Sequence, residues 1–180
     1  IITIGRISPI KDYETLIDAV KLLKNDNLEV HLDIVGGIGR SDQNNYLENL
    51  KQKVKDENLE GNINFIGAVP NREIIDYLHS ADLFVNTSQT GSLDKAILEA
   101  MSCGLLVLSS NDSSRKVFGG YQDKLFFKAK DSLDLSKKIL ELSRLSDSKK
   151  DKIGSRLRTI VEEDHNLRNL IVKILNVYRK

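Results

Sequence analysis

The sequence predicts an α/β fold in which a parallel sheet is doubly wound, with helices on both of its faces. Short apolar runs rich in β-branched residues alternate with longer segments in which apolar residues recur at helical spacing. The segments between successive runs are long enough to hold the crossover helices that parallel strands require. Of the 180 residues, 40% are hydrophobic and 29% charged, so one ordinary core can form without disulfides or metals.

Five apolar runs are predicted as strands, because each is short and bounded by glycine or polar residues. The second run alternates Val30, Leu32 and Ile34 with polar residues, so one of its faces should be less buried. The predicted strands are Ile1–Gly5, Leu28–Val35, Asn62–Ile66, Leu83–Asn86 and Leu105–Ser109, with Leu125–Phe127 as a candidate sixth.

Helices are predicted where apolar residues repeat every three or four positions. In the first helix, Leu16, Ile17, Val20 and Leu23 lie on one stripe, and the fourth helix ends before Gly104, a residue suited to the C′ position. The predicted helices are Asp12–Leu23, Asn45–Asp56, Asn71–Ser80 and Leu93–Cys103, followed by three closing helices near 131–145, 147–163 and 166–178.

Ligands of doubly wound sheets bind beyond the carboxyl ends of the strands, which selects four loops of this sequence. The glycine-rich second loop does not complete a dinucleotide fingerprint, because Asp42 stands where the third glycine belongs, so neither nicotinamide nor flavin is expected. Its glycines serve either a tight turn or the close approach of a ligand to the backbone. The four loops are Gly5–Lys11, Gly36–Asp42, Gly67–Arg72 and Asn86–Asp94.

The first and fourth loops carry groups suited to a nucleotide. Arg6 and Lys11 follow the first strand, and a guanidinium with an ammonium suits a diphosphate. The fourth loop leads into a helix whose first N–H groups can bind an anion. In that helix, the Glu99 carboxylate can accept hydrogen bonds from two vicinal hydroxyls, as on a ribose. The competing interpretation of each charged residue is a solvated surface side chain.

Four segments of the chain carry a resemblance to a known family. They are Gly5-Arg6-Ile7-Ser8-Pro9-Ile10-Lys11-Asp12, Asn62-Ile63-Asn64-Phe65-Ile66-Gly67-Ala68-Val69, Ala81-Asp82-Leu83-Phe84-Val85-Asn86-Thr87-Ser88 and Leu98-Glu99-Ala100-Met101-Ser102-Cys103-Gly104. In this order and spacing they resemble the carboxyl-terminal domain of retaining GT-B glycosyltransferases, the large family 4. The resemblance runs from about Ile1 to Ser110 and is looser beyond Lys130. It implies one Rossmann-like half of a GT-B fold.

The resemblance also implies roles for individual residues. Arg6 and Lys11 match the basic pair that grips the donor diphosphate, and Glu99 matches the second Glu of the E-x7-E motif, which holds the ribose. Val69 matches the position whose backbone contacts the base, and the loop over 91–95 matches the one whose amides meet the phosphate and sugar. The expected donor site comprises Gly5, Arg6, Lys11, Val69, Gly91, Ser92, Leu93, Asp94, Lys95 and Glu99, with Arg6, Lys11 and Glu99 as its catalytic residues.

One residue departs from the family pattern. Gly91 stands eight residues before Glu99, where the family usually has the Glu that contacts the donor sugar. Asp94 substitutes for that Glu from a shifted position, or the sugar is held differently, or the chain belongs to a subgroup in which Thr90–Lys95 is the normal loop. The departure bears on the identity of the sugar more than on nucleotide binding.

The resemblance implies a glycosyltransferase donor domain that binds a UDP- or GDP-linked sugar without a metal or other cofactor. The acceptor is expected to be a growing glycan or a lipid-linked saccharide. Ile1-Ile2-Thr3-Ile4 is already a strand, so we expect the chain to be a domain of a longer protein. The resemblance implies a single carboxyl-terminal domain over 1–180, with a core over 1–130, closing helices over 131–180 and an absent amino-terminal acceptor domain. The isolated chain should then transfer sugar poorly. The alternative is a non-catalytic nucleotide-sugar-binding or regulatory module.

Composition and charge limit the cellular locations and the classes of binding partner that we expect. One Cys and three separated His residues offer neither a disulfide framework nor a metal site, so we expect a reducing, cytoplasmic location. Residues 1–114 hold 10 basic and 17 acidic side chains, whereas 115–180 hold 17 and 9. A solvated tail explains this asymmetry, and so does a basic face for the inner membrane surface or an acidic partner. Nucleic acid is not expected, because no aromatic residues interleave the basic ones.

Overall fold

The computed structural model describes residues 1–39 and 44–178, which form one sheet of five parallel strands with helices on both faces. The strands lie in the order β3-β2-β1-β4-β5. Their bounds are β1 (Ile2–Ile4), β2 (Leu32–Val35), β3 (Ile63–Gly67), β4 (Leu83–Asn86) and β5 (Leu106–Ser109). The helices are α1 (Tyr13–Asn25), α2 (Asn44–Asp56), α3 (Ile74–His79), α4 (Lys95–Ser102), α5 (Gln122–Leu125), α6 (Ser132–Ser143), α7 (Asp147–Asp164) and α8 (Leu167–Tyr178).

The strand order explains why both faces are covered. The chain runs from β1 outward to β3, returns to β4 beside β1, and then runs outward to β5. Because parallel crossovers are right-handed, this reversal places α1 and α2 on one face and α3 and α4 on the other. The closing helices extend both layers, since α6 packs on α1 and α7 packs on α4.

The core lies on both sides of the central strands. All residues of β4 and β5 are buried, as parallel strands covered on both faces require. A close backbone contact also fixes α4 against α7, because a Cβ on Gly154 would lie only 2.0 Å from the Gly104 carbonyl oxygen. The largest fully buried side chains are those of Tyr13, Phe84, Phe118 and Phe127.

The predicted fold, its five strands and its three closing helices are confirmed. Most element bounds differ by one or two residues, and the largest differences are at the second strand and the third helix. The second strand begins at Leu32 rather than Leu28, because β1 starts at Ile2 and pairs with β2 only from Asp33 onward. The predicted helix Asn71–Ser80 is a 3-10 turn over Asn71–Glu73 followed by α3.

The prediction of a sixth strand over Leu125–Phe127 is wrong. Leu125 ends the short helix α5, and Phe126 forms only an isolated parallel bridge with Ser109. The chain therefore touches the outer edge of β5 without extending the sheet. The preceding segment, Asp112–Tyr121, is largely 3-10 helix, an element that the sequence analysis did not assign. Within the described ranges, no helix combines the length and apolar character that crossing a bilayer requires.

Candidate functional site

The strand order reverses between β1 and β4, so the loops after these two strands leave toward opposite faces and open a crevice between them. Two contacts join the loops across this crevice. The Gln89 N–H donates to the Ile10 carbonyl oxygen at 2.9 Å, and the Thr87 hydroxyl donates to the Lys11 carbonyl oxygen at 2.5 Å. The first and fourth predicted loops therefore form one continuous rim.

An ion pair occupies the centre of the rim. The Lys11 ammonium contacts Asp94 Oδ2, and the two side chains are only 15% and 16% exposed. Asn86 Nδ2 donates to the same oxygen at 3.2 Å, whereas Asp94 Oδ1 accepts from the Ala96 N–H at 3.4 Å and caps α4. Both oxygens of Asp94 are thus engaged by groups of the protein itself.

The Lys11 side chain lies against Gly5, and Tyr13 holds the backbone at that glycine. The Tyr13 hydroxyl donates to the carbonyl oxygens of Gly5 at 3.0 Å and Arg6 at 3.3 Å. Burial, with a smaller contribution from the Asp94 carboxylate, raises the pKa of Tyr13 well above its ordinary value, so the phenol stays a neutral donor. A Cβ at Gly5 would lie 3.3 Å from Lys11 Cε, which shows that the lysine stem lies directly over this glycine.

The segment that follows β5 holds the fourth loop from its other side. Asn111 Nδ2 donates to the Ser92 carbonyl oxygen and the Ser113 hydroxyl donates to the Gly91 carbonyl oxygen, both at 2.8 Å. Sequence analysis missed these two residues. A possible signal was the polar run Ser109–Ser114, because Asn and Ser after a strand commonly bond to nearby backbone.

The backbone conformation at position 91 explains why this residue is a glycine. Its φ of +71° lies in the left-handed region, and a Cβ there would meet nothing within 4 Å. The residue therefore supplies a turn in front of α4 rather than space for a neighbouring atom. Ser92 is exposed and Leu93 is partly buried.

The charged side chains of Arg6, Lys95 and Glu99 are exposed at this edge of the sheet. In the described part of the chain, Arg6 has no ion-pair partner. Glu99 lies on the exposed face of α4, one turn after Lys95. The structure thus brings Gly5, Lys11 and Asp94 into contact and leaves these three charged groups in solvent.

Val69 lies farther along the same edge. It is partly buried beyond the end of β3, and Gly67, with a φ of +85°, turns the chain before it. Because β2 separates β3 from β1, two interstrand spacings of about 5 Å place the ends of β1 and β3 roughly 10 Å apart. That distance is comparable to the separation between the base and the diphosphate of a nucleotide.

The glycines after β2 have a structural explanation. Gly36 has a φ of +144°, and a Cβ there would lie only 1.9 Å from the Gly5 carbonyl oxygen. The Ile7 N–H also donates to the Gly37 carbonyl oxygen at 2.9 Å, so the loops after β1 and β2 pack backbone against backbone. This favours the tight turn over close approach of a ligand. The rest of that predicted loop, residues 40–42 including Asp42, lies outside the described residues.

A cavity elsewhere in the molecule and the distribution of possible metal ligands also bear on the site. A cavity of about 610 Å³ lies at the opposite edge of the sheet, near the amino ends of β1 and β4, and is lined by side chains such as Val30, Leu83 and Leu142. Among residues 1–39 and 44–178, no three His, Cys, Asp or Glu side chains are grouped as metal ligands. That the site needs no metal remains a prediction.

Comparisons with known proteins bear on the whole chain. The family model described as glycosyl transferases group 1 matches residues 1–158. Mannosylfructose-phosphate synthase from Agrobacterium fabrum is 33% identical over 106 residues, which are 58% of this chain and 23% of that protein. The chain therefore spans about a quarter of that curated relative.

Solved structures share the fold at low sequence identity. HepE from Anabaena, in complex with UDP, superposes with a TM-score of 0.87 at 21% identity, over 99% of this chain and 48% of that one. Sucrose-phosphate synthase from Thermosynechococcus elongatus superposes with a TM-score of 0.84 at 22% identity, over 99% of this chain and 44% of that one. The carboxyl-terminal domain of LpcC, a glycosyl transferase group 1 family protein from Francisella tularensis, has a TM-score of 0.76 at 22% identity, over 92% of this chain and 86% of that one. This chain thus corresponds in length to about half of the first two proteins.

Proposed function

The chain belongs to the glycosyl transferases group 1 family, and on this premise we propose that it is the donor-binding, carboxyl-terminal domain of a retaining, family 4 glycosyltransferase of GT-B architecture. One observation carries the proposal. The Lys11 ammonium and the start of α4 meet beyond the ends of β1 and β4, at the reversal of strand order where doubly wound folds bind their ligands. A diphosphate is the anion that such a rim suits.

In the proposed complex, the donor lies along the carboxyl edge of the sheet. The diphosphate lies between Arg6, Lys11 and the N–H groups that precede α4, and the base reaches the backbone of Val69. The roughly 10 Å between the ends of β1 and β3 supports this arrangement. Glu99 is exposed and has no side-chain partner in the described ranges, so its carboxylate is available for the ribose hydroxyls. We propose a UDP- or GDP-linked sugar as the donor.

Positive charge is the main chemical contribution of this domain. Transfer breaks the bond between the anomeric carbon and a phosphate oxygen, and the electron pair leaves with the diphosphate. Arg6, Lys11 and the N–H groups before α4 stabilise that developing charge, and loss of one such contact costs about 2–4 kcal/mol of transition-state stabilisation. The Lys11 charge is offset by Asp94, whereas the Arg6 charge is unpaired within residues 1–39 and 44–178. We propose that this arrangement works without a metal or other cofactor.

The sugar itself is held differently from the usual family arrangement. Gly91 replaces the expected Glu, and both oxygens of Asp94 already bond to Lys11, Asn86 and the Ala96 N–H. These contacts argue against Asp94 as a substitute that grips sugar hydroxyls. We therefore propose that other backbone groups of the loop over 91–95, rather than the Asp94 carboxylate, contact the sugar.

The remaining parts of the reaction lie with a second domain. We propose that residues 1–130 form the donor core, that 131–180 close it, and that an amino-terminal domain binds a growing glycan or lipid-linked acceptor in polysaccharide biosynthesis. The excess of basic side chains over 115–180 suits a cytoplasmic protein that rests on the inner membrane face. The 180-residue chain alone should bind nucleotide weakly and transfer sugar poorly.

A thermal-shift screen tests the donor assignment. UDP, GDP, their sugar conjugates and the matching nucleosides are added in turn to the 180-residue chain, because a ligand that binds the folded state raises its melting temperature by mass action. We expect a rise with one nucleoside diphosphate and its sugars, and a much smaller rise with the nucleoside. A chain that responds to no nucleoside diphosphate does not have the proposed function.

A second candidate is a non-catalytic nucleotide-sugar-binding or regulatory module. It is favoured by the absence of a Glu at Gly91, together with the engagement of Asp94 by the protein. The two candidates differ in the behaviour of the full-length protein. A catalytic protein hydrolyses its nucleotide sugar slowly and transfers the sugar to an acceptor, whereas a module binds the donor and leaves it intact.

A further inference from the structure

A buried polar segment follows β5, beside the loop proposed to meet the donor phosphate. Ser109, Ser110, Asn111 and Ser114 are each at most 3% exposed. Burial of polar groups is costly unless each of them is hydrogen-bonded, and in the described part of the chain no buried side-chain nitrogen or oxygen lacks a partner. The segment therefore has a fixed set of hydrogen bonds.

Two of these hydrogen bonds reach successive peptide groups of the neighbouring loop. The Ser113 hydroxyl donates to the Gly91 carbonyl oxygen and Asn111 Nδ2 donates to the Ser92 carbonyl oxygen, each at 2.8 Å. A planar trans peptide directs its N–H opposite to its C=O. With both carbonyl groups directed toward the segment after β5, the N–H groups of Ser92 and Leu93 must point away from it.

The opposite side of this loop is the crevice. There the loop contacts the segment after β1, through the hydrogen bond from the Gln89 N–H to Ile10 and through the Lys11–Asp94 ion pair. Across residues 1–39 and 44–178, the N–H groups of Ser92 and Leu93 donate to no acceptor of the protein. Two adjacent backbone donors without a protein acceptor in the described ranges thus lie on the side of the loop away from the segment after β5.

We propose that Asn111 and Ser113 are positioning residues that fix the peptide groups of the 91–93 loop, so that the N–H groups of Ser92 and Leu93 point at the donor diphosphate. The inference rests on the proposed function, because it assigns a role within the same site. Neither side chain touches the donor in this scheme. Asn111 also caps the 3-10 segment through its Oδ1, which accepts from the Ser113 N–H at 3.0 Å.

The cap means that loss of Asn111 also affects stability, so the test needs a matched control. Asn62 provides one, because its Nδ2 likewise donates to a backbone carbonyl oxygen, that of Val30, at 3.0 Å. Asn62 precedes β3, at the amino edge of the sheet and away from the crevice. Ser113→Ala is a second test beside the Asn111 substitution, because it removes the hydrogen bond to Gly91 and leaves the Asn111 side chain intact.

The experiment compares the 180-residue chain with its Asn111→Ala, Ser113→Ala and Asn62→Ala variants. Binding of UDP, GDP, uridine and guanosine is measured by NMR titration, and backbone order at residues 91–93 is measured by 15N relaxation without ligand. We expect Asn111→Ala and Ser113→Ala each to weaken nucleoside diphosphate binding about three- to tenfold, as loss of one positioned hydrogen bond does. Nucleoside binding should not change, and the 91–93 amides should become more mobile. Asn62→Ala should lower the stability of the fold and change neither nucleotide binding nor the order of the 91–93 amides.

Each other outcome has a defined meaning. If the wild-type chain binds a nucleoside diphosphate and the Asn111 and Ser113 variants bind it equally well, or lose nucleoside affinity to the same extent, the positioning role is wrong and the donor assignment stands. Unchanged order at residues 91–93 in both variants also overturns the positioning role. If the wild-type chain binds neither UDP nor GDP, the donor assignment fails and this inference fails with it.

Discussion

Lys11 and Asp94 are 83 positions apart in the sequence and form an ion pair beyond the carboxyl ends of β1 and β4. Asp94 also caps α4, so the same carboxylate fixes the start of that helix and the ammonium beside it. The crevice therefore has a preset geometry before any ligand enters it. This arrangement lets individual substitutions separate binding of the diphosphate from stability of the fold.

Lys11→Ala should weaken binding of UDP or GDP by about 1.5–3 kcal/mol, the usual contribution of a hydrogen bond to a charged group. Binding of the free nucleoside should change little, because the ammonium is assigned to the diphosphate alone. Isothermal titration calorimetry with both ligands measures the difference. Lys21→Ala is the matched control, since Lys21 pairs with Glu57 after the end of α2, away from the crevice. Equal losses for diphosphate and nucleoside would show that Lys11 supports the fold rather than the anion.

Asp94→Ala should lower the free energy of unfolding by about 2 kcal/mol, because it removes the cap of α4 and leaves Lys11 without its partner. Urea denaturation measures the change. Asp131→Ala is the control, because Asp131 caps α6 by accepting from the Asp134 N–H at 2.9 Å. That variant should lose about 1 kcal/mol and keep its nucleotide affinity. An Asp94 variant as stable as wild type would mean that neither the cap of α4 nor the ion pair stabilises the fold.

The fold was predictable because its signals are local, whereas the site depends on contacts between distant parts of the chain. Runs such as Leu83–Asn86 alternate with helical stripes, and right-handed crossovers then leave few possible topologies. The sequence placed Arg6, Lys11 and the 91–95 loop at one edge, but it did not pair Lys11 with Asp94. The polar run Ser109–Ser114 indicated bonds to nearby backbone, but not that Asn111 and Ser113 reach the 91–93 loop, because those contacts exist only once β4 and β5 lie side by side.

The errors in the prediction have physical causes as well. Leu125–Phe127 has the composition of a strand, yet Phe126 is the one residue of that run paired with β5, because α5 ends immediately before it. Glu99 has apolar neighbours in sequence, yet Ala96, Ile97, Ala100 and Met101 occupy the buried face of α4 and leave Glu99 on the outside. Helical spacing, rather than neighbours in sequence, decides which side chains are buried.

Gly36→Ala should destabilise the chain severely even without ligand, because the added Cβ would meet the Gly5 carbonyl oxygen at 1.9 Å and the φ of +144° is unfavourable for alanine. We expect a loss of at least about 3 kcal/mol, measured by thermal and urea unfolding. Gly61→Ala is the control, since a Cβ at Gly61 would meet nothing within 4 Å. If Gly36→Ala folded normally and lost only nucleotide binding, the glycine would serve ligand approach instead of the turn.

Stability should fall at alkaline pH because of Tyr13 and Tyr46. Burial is the main cause that raises the pKa of both phenols above the ordinary value of 10.0, aided at Tyr46 by its hydrogen bond to Glu14. Above pH 10 the unfolded chain has lost these protons and the folded chain has kept them, so the free energy of unfolding decreases as pH rises. The slope should be about 1.4 kcal/mol per pH unit for the buried Tyr13, and smaller for the partly exposed Tyr46, whose interactions are screened by solvent.

Tyr13→Phe isolates one of these contributions. The substitution removes the hydrogen bonds to Gly5 and Arg6 and so lowers stability at neutral pH, but the informative quantity is the slope above pH 10. That slope should become shallower by the contribution of the Tyr13 phenol to the pH dependence of the free energy of unfolding. Urea denaturation at pH 8 to 11 measures it for both proteins. A variant with the wild-type slope would indicate that Tyr13 ionises in the folded chain as readily as in the unfolded chain.

Glu99→Gln tests the ribose assignment with a pair of ligands. A carboxylate can accept hydrogen bonds from both ribose hydroxyls, whereas a glutamine amide has one oxygen acceptor and no charge. The affinity for UDP, or for GDP if that is the nucleotide bound, should therefore fall about tenfold. The 2′-deoxy nucleotide, which lacks one of the hydroxyls, should lose much less, so the preference for the ribonucleotide should narrow. Glu141→Gln on α6 exchanges another exposed Glu and should leave both affinities unchanged. Equal losses for the two nucleotides would place Glu99 near the ligand as a charge, without contact to the ribose.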